Sequence, residues 1–453
     1  MKVKSNMKIT RKYLSLLSML MLTLACVMPV QASVWDAENK WNSEWEERYR
    51  DWVKENWKEN FFMNEATPLY YKLSHDCADA VYLMRLVFSY EHQLPFVINN
   101  AHEKGDISNT MNKWNRLSGD KRVRKFMDYV TDMTSTKTLK NDSYPIALGD
   151  IKPGDLYVSP GVHSYQIINI TKTGIAEVMA STTPKAPRPL SRYESFPFYV
   201  PEDSKNMSDG YRRFKQPQNI HKHITKQPGF SSEQYKIADS VEQNYVGFTD
   251  VISEKLRDTA QADVEKALEI AKESGDSKKV NELNQLSKSI REEKPAEKSE
   301  RLITALCMYA NDRGAYVYDA QYHLLEMKKK GRRCMTKTEY DNFSTPGRDK
   351  RLTKFFSAVG DHIAENYQKD KNSHAQRWAA AIFSEKEPQP RDIKELNEFC
   401  KVEISLQSGI FMPLRDLRKK SEAGELVSDP NAPLDYRWGI TTEPKYAPKC
   451  PTY

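Results

Sequence analysis

The chain lacks a second long apolar run. Residues 13–30 are apolar, and no later segment approaches the ~20 residues that span a bilayer. It also lacks a large basic field. The net charge is +7, and Lys2, Lys4, Lys8, Arg11 and Lys12 supply five cations in the first 32 residues, with no acid among them. The net charge of +7 less these five leaves +2. That balance gives no footprint for nucleic acid. No repeat of solenoid length recurs. Cysteine is scarce, at 6 of 453 residues. The one His-x-His pair, His221 and His223, has no partner cluster to complete a metal site. No metal or cofactor is expected.

What is present begins with an export signal. The basic stretch, the apolar run and the small-residue site Val30-Gln31-Ala32 predict removal of residues 1–32. The alternatives, a retained anchor or a lipid on Cys26, are opposed by Pro29 and by Thr23. The expected location is periplasmic or secreted, with no retained membrane span.

Residues 34–72 carry Trp35, Trp41, Trp45, Trp52 and Trp57. The spacing of Trp41, Trp45 and Trp52 predicts an amphipathic helix whose tryptophans pack on the next part of the fold. After it comes Ser74-His75-Asp76-Cys77-Ala78-Asp79-Ala80, leading into Val81, Met84, Val87 and Phe88 at helical spacing. Asp76 is the expected N-cap, so Cys77 falls on the first turn. A helix N-terminus favours negative charge, and a thiol there is expected to ionise below the ~8.5 of a free cysteine. The plainer reading of one cysteine is a small buried hydrophobe.

Helices are predicted over 109–117 and 122–133, then short strands over 156–158, 164–170, 175–179, 196–200 and 210–214. The composition turns polar after Phe214, and a domain boundary is placed at residue 225. The remainder reads as helix over 251–293, 296–330, 351–367 and 374–383, ending in a Pro-rich tail. Cys307, Cys334, Cys400 and Cys450 all lie in this half. In an oxidising compartment they make two bridges, with three connectivities open, one of which pins the tail through Cys450. The basic run from Lys328 to Arg333 reads as a solvated helix end or a contact for an anionic envelope polymer.

Cys77 is thereby left unpaired. Its possible partner is His163, at the mouth of a strand after Pro153-Gly154-Asp155-Leu156. A histidine beside a cysteine can take the thiol proton and return it to a leaving amine.

Asp76-Cys77 opening a helix, Pro153-Gly154-Asp155-Leu156, and His163 leading a strand resemble the NlpC-type cell-wall peptidases over residues 65–185. The resemblance implies a papain-like fold for the α+β domain expected over 33–225 and says nothing of the mainly helical domain that composition and periodicity predict over 226–453. It implies Cys77 as nucleophile, His163 as base, and a cell-wall peptide or protein as substrate. Ala78 and Asp79 replace the family's Ser and Gly. Met179 stands where the family orients its histidine, so Glu177 or Gln166 is expected to take that role. The two functional readings are an exported cysteine hydrolase cutting an amide bond, and a non-catalytic envelope protein that binds through a decayed papain-like domain. In either, the helical domain is a candidate module for an envelope partner.

Overall fold

A computed structural model describes residues 33–193, 200–242, 244–366, 373–404, 409–442 and 449–453. The expected export signal with Cys26, and residues 196–199 of one expected strand, lie outside them.

The tryptophan-rich segment forms a helix, Ser43–Asn56, capped by the Asn42 side chain. Trp41 and Trp57 are buried at its two ends, and Trp45 and Trp52 pack on the same core. The Arg85 guanidinium lies 3.4 Å from the Trp41 ring centroid and 2.5 Å from Glu46, tying this helix to the next. That next helix is Cys77–Glu91, buried nearly throughout. A hairpin of β1 (Val97–Asn99) and β2 (Asp106–Ser108) comes after it.

The segment 109–117 is not the expected helix. Asn109 is spent on Trp35 and Phe96: its amide donates to Trp35 O at 3.0 Å, and its side-chain oxygen accepts from Phe96 N at 3.0 Å. Helix resumes at Gly119–Met133 and at Thr136–Asp142.

One antiparallel sheet organises the rest. It contains β3 (Ser143–Pro145), β4 (Leu156–Ser159), β5 (His163–Ile170), β6 (Ala176–Ala180), β7 (Ser191–Tyr193) and β8 (Gly210–Phe214). The order is β3-β8-β4-β5-β6-β7. Side chains alternate across a strand. Leu156, Val158, Ile168 and Met179 pack with the Cys77 helix on one face. Tyr157, Tyr165, Ile167 and Val178 share a second core with helices of the C-terminal half. Both faces are covered, which is why these strands read as nearly continuous apolar runs.

The C-terminal half is mostly helical. Its long members are Tyr245–Glu273, Ser277–Ser289, Pro295–Lys329 and Pro346–Asn366. The expected 251–293 helix is broken at Gly275, whose φ of +72° suits a helix-ending glycine; Asp276 then caps the next helix. The Lys328–Arg333 run sits at the end of its helix, where Lys329 pairs with Glu326 and Arg332 with Glu339. Cys307 is bridged to Cys400, and Cys334 to Cys450. Two bridges fit an oxidising compartment. Among the described residues no helix is long and apolar enough to cross a membrane.

Candidate functional site

Cys77 owes its position to the residues before it. Asp76 is extended, and its carboxylate accepts from the Ala78 N–H at 2.9 Å and the Asp79 N–H at 3.0 Å. Asp79 reaches back to the Asp76 N–H at 3.0 Å, closing a capping box. His75 is clamped upstream: its backbone bridges Ala186, its Nδ1 lies 2.8 Å from Ser181 Oγ, and its ring packs on Phe62. The helix therefore starts where the sequence says, with Cys77 on its first turn.

The thiol is not the thiolate expected. It is 4% exposed, and burial pushes its pKa up to about 12. The Asp76 and Asp79 carboxylates push the same way, while Arg348 and the Ser164 N–H, hydrogen-bonded to the thiol, act against them. The capping box that fixes the helix start thus places acids where the helix end would otherwise favour an anion.

His163 opens β5 opposite Ser159, across a turn held by Gly161 at φ +76°. The Gly161 N–H donates to Thr136 Oγ1 at 2.9 Å. The imidazole is 2% exposed and meets Tyr165 edge-on at 4.4 Å. Its Nδ1 is buried and makes no hydrogen bond among the described residues. Burial, and then the charges of Arg348 and Arg351, hold its pKa well below the usual histidine value. The neighbouring Ser164 points the other way and donates from Oγ to the Cys77 carbonyl at 3.0 Å. Ser164 therefore meets the start of the Cys77 helix, while His163 shares the opposite strand face with Tyr165, and burial favours the neutral form of both the thiol and the imidazole.

The orienting residue is not where it was expected. Glu177 pairs across the sheet with Asn169, six residues along β5 from His163, a separation of roughly 20 Å at strand rise. Its carboxylate accepts from Asn169 Nδ2 at 3.0 Å and from Arg192 at 2.9 Å. Gln166 faces the other layer and donates to Tyr49 Oη at 2.7 Å. Neither reaches His163. The Pro153-Gly154-Asp155-Leu156 stretch is structural here: Gly154 turns at φ +89° against the Tyr49 ring, and Asp155 takes Arg213 at 2.7 Å. His221 is exposed and pairs with Asp106, and His223 with Thr225.

Cys77 lines a cavity of about 300 Å³. Asp76, Ser135, Thr136, Gly161, Val162 and Thr183 form its N-terminal wall. The opposite wall comes from the C-terminal half: Tyr316, Asp341, Asn342, Ser344, and the helix start Pro346, Gly347, Arg348 and Arg351. The walls are joined at the rim, where Thr183 Oγ1 donates to Tyr316 Oη at 3.0 Å, and further off, where Tyr193 Oη donates to Asp312 at 2.9 Å. Sequence reasoning missed this second wall. Its residues lie more than 230 positions beyond Cys77 and carry no motif; the Thr345-Pro346 helix start was the only local signal.

Neither family models, curated proteins nor solved structures match this chain. The chemistry therefore rests on the cavity itself. It offers a neutral thiol and two guanidinium groups; the His163 imidazole is buried outside its lining, one residue from Ser164. That set suits attack on a polar carbonyl.

Proposed function

We propose that the protein is an exported cysteine hydrolase, periplasmic or secreted, that cuts an amide bond in cell-wall peptides. Cys77 is the nucleophile and His163 the base. The observation that supports this is the Cys77 thiol lining the cavity, with Ser164, the neighbour of His163 in sequence, donating to the Cys77 carbonyl. With the His163 imidazole turned toward the thiol on substrate binding, the Cys77 Sγ–H bond gives its proton to His163 as Sγ bonds to the substrate carbonyl carbon. The imidazolium then protonates the leaving amine as the C–N bond breaks, leaving a thioester. Water, deprotonated by His163, attacks the thioester, releasing the carboxylic acid and restoring the thiol. Starting from a neutral pair costs nothing in charge separation until the substrate arrives.

Incubation with soluble cell-wall peptides, read by mass spectrometry, tests this. The intact chain should release a new amine and a new carboxylate; Cys77→Ala and His163→Ala should release neither. Activity undiminished in Cys77→Ala would sink the assignment.

The 4% exposure and raised pKa of the thiol favour a second reading, a binding protein with a papain-like scaffold. It expects the same peptides to be retained uncut.

A further inference from the structure

Two cations meet at the Cys77 cavity, and both belong to the C-terminal half. Arg348 and Arg351 lie on the first turns of the helix Pro346–Asn366. The Arg348 guanidinium is stacked on the Tyr316 ring at 3.6 Å. Its helix start is fixed from behind: Asp349 takes Arg313 at 2.6 Å, Ser428 Oγ at 2.6 Å and Thr345 Oγ1 at 2.9 Å. The charge of Arg348 reaches both Cys77 and His163, and that of Arg351 reaches His163. Two acids also line the cavity. Asp76 is committed to capping its helix, and Asp341 is exposed at the mouth.

We infer that Arg348 and Arg351 recognise a carboxylate on the substrate, so that the site takes a peptide bearing a free carboxylate within about a residue of the bond cut. This rests on the cavity being the substrate site. A guanidinium presents paired donors that match a carboxylate, and such charge-assisted bonds are the strong ones. Stacking on Tyr316 restricts Arg348 beforehand, so less freedom is lost on binding. A cavity of about 300 Å³ is at the small end for ligand sites, which suits a chain end better than a long extended segment. The helical half would then be the specificity wall of the site and the N-terminal half its chemical wall.

Binding to the full Cys77→Ala chain tests the clamp without catalysis. The probes are N-acetyl-alanyl-alanine, its C-terminal amide, and N-acetyl-glutamyl-alaninamide, whose only carboxylate is a side chain. One acid should bind about tenfold more tightly than the amide, as expected for a hydrogen-bonded charge pair. Whichever acid wins identifies a terminal or a side-chain carboxylate. The preference should fall toward unity in Arg348→Gln and Arg351→Gln. Equal binding of all three, or binding of none, overturns the clamp; the acid–amide comparison decides even where an arginine variant fails to fold. Iodoacetate and iodoacetamide rates on the native thiol separate the two claims. A thiol inert to both reagents counts against the nucleophile alone, and the binding result still decides the clamp. A reactive thiol with no gain for the anionic reagent over a small-molecule thiol counts against the clamp alone.

Discussion

His75 and His163 are kept neutral by burial, and Cys77 is kept protonated by it. For His75 the pKa falls to about 4, below the 6.5 of an exposed histidine. The unfolded chain therefore binds a proton that the folded one refuses, and stability drops as pH falls from about 6.5 toward 4. The loss has an upper bound of roughly 3 kcal/mol. We expect His75→Gln to shrink that acid limb in denaturant titrations, His163 carrying part of what remains; an unchanged limb would place the acid sensitivity elsewhere. Cys77 works at the other end. Its folded pKa of about 12 lies above the unfolded value, so its contribution is full below about 8.5 and is lost as pH rises toward 12. Buried tyrosines titrate there too, so the readout is the difference between the intact chain and Cys77→Ala, which should lose less stability above pH 9.

Elements are held in place by short polar contacts at their ends. Asp76→Ala should cost 0.5–2 kcal/mol, the usual range for a lost N-cap, with the helical circular dichroism nearly intact. Gly174, in the β5–β6 turn, has φ +77°, and a Cβ there would lie 2.2 Å from Ser253 O on the helix Tyr245–Glu273. Gly174→Ala should therefore cost well over ~1 kcal/mol, seen as a lowered Tm, because backbone would have to move against backbone. The helix starting at Cys77 was legible because Asp76 and the apolar spacing agree, and β4 to β6 because their runs are short and Gly-punctuated. Glu177 misled because it was placed by counting along its own strand, whereas its partner is set by cross-strand register with Asn169. The 109–117 segment misled because Asn109 is held by residues remote in sequence, which no local pattern encodes. Arg348 and Arg351 were invisible for the same reason: what makes them part of a site is packing across the sheet.

In the whole molecule, one core runs from the sheet into the C-terminal helices, from Tyr165 and Ile167 to Leu302, Leu306 and Phe355. A chain ending at residue 225 would expose that sheet face, and we expect it to aggregate or to melt without a cooperative transition; a sharp Tm for that fragment would contradict the shared core. The bridges Cys307–Cys400 and Cys334–Cys450 close long loops, of 93 and 116 residues in sequence separation. Losing either by Cys→Ser replacement should cost ~2–5 kcal/mol, read as a shift in denaturant midpoint. These bridges coexist with a fifth cysteine, which raises a hazard of scrambling. Disulfide exchange needs a thiolate that can approach a sulfur in line. Burial holds Cys77 protonated, and only 4% of its surface is exposed, where it meets the cavity. The same burial makes Cys77 a poor attacker of its own chain's bridges, so a free thiol and two oxidised pairs can share one polypeptide without shuffling.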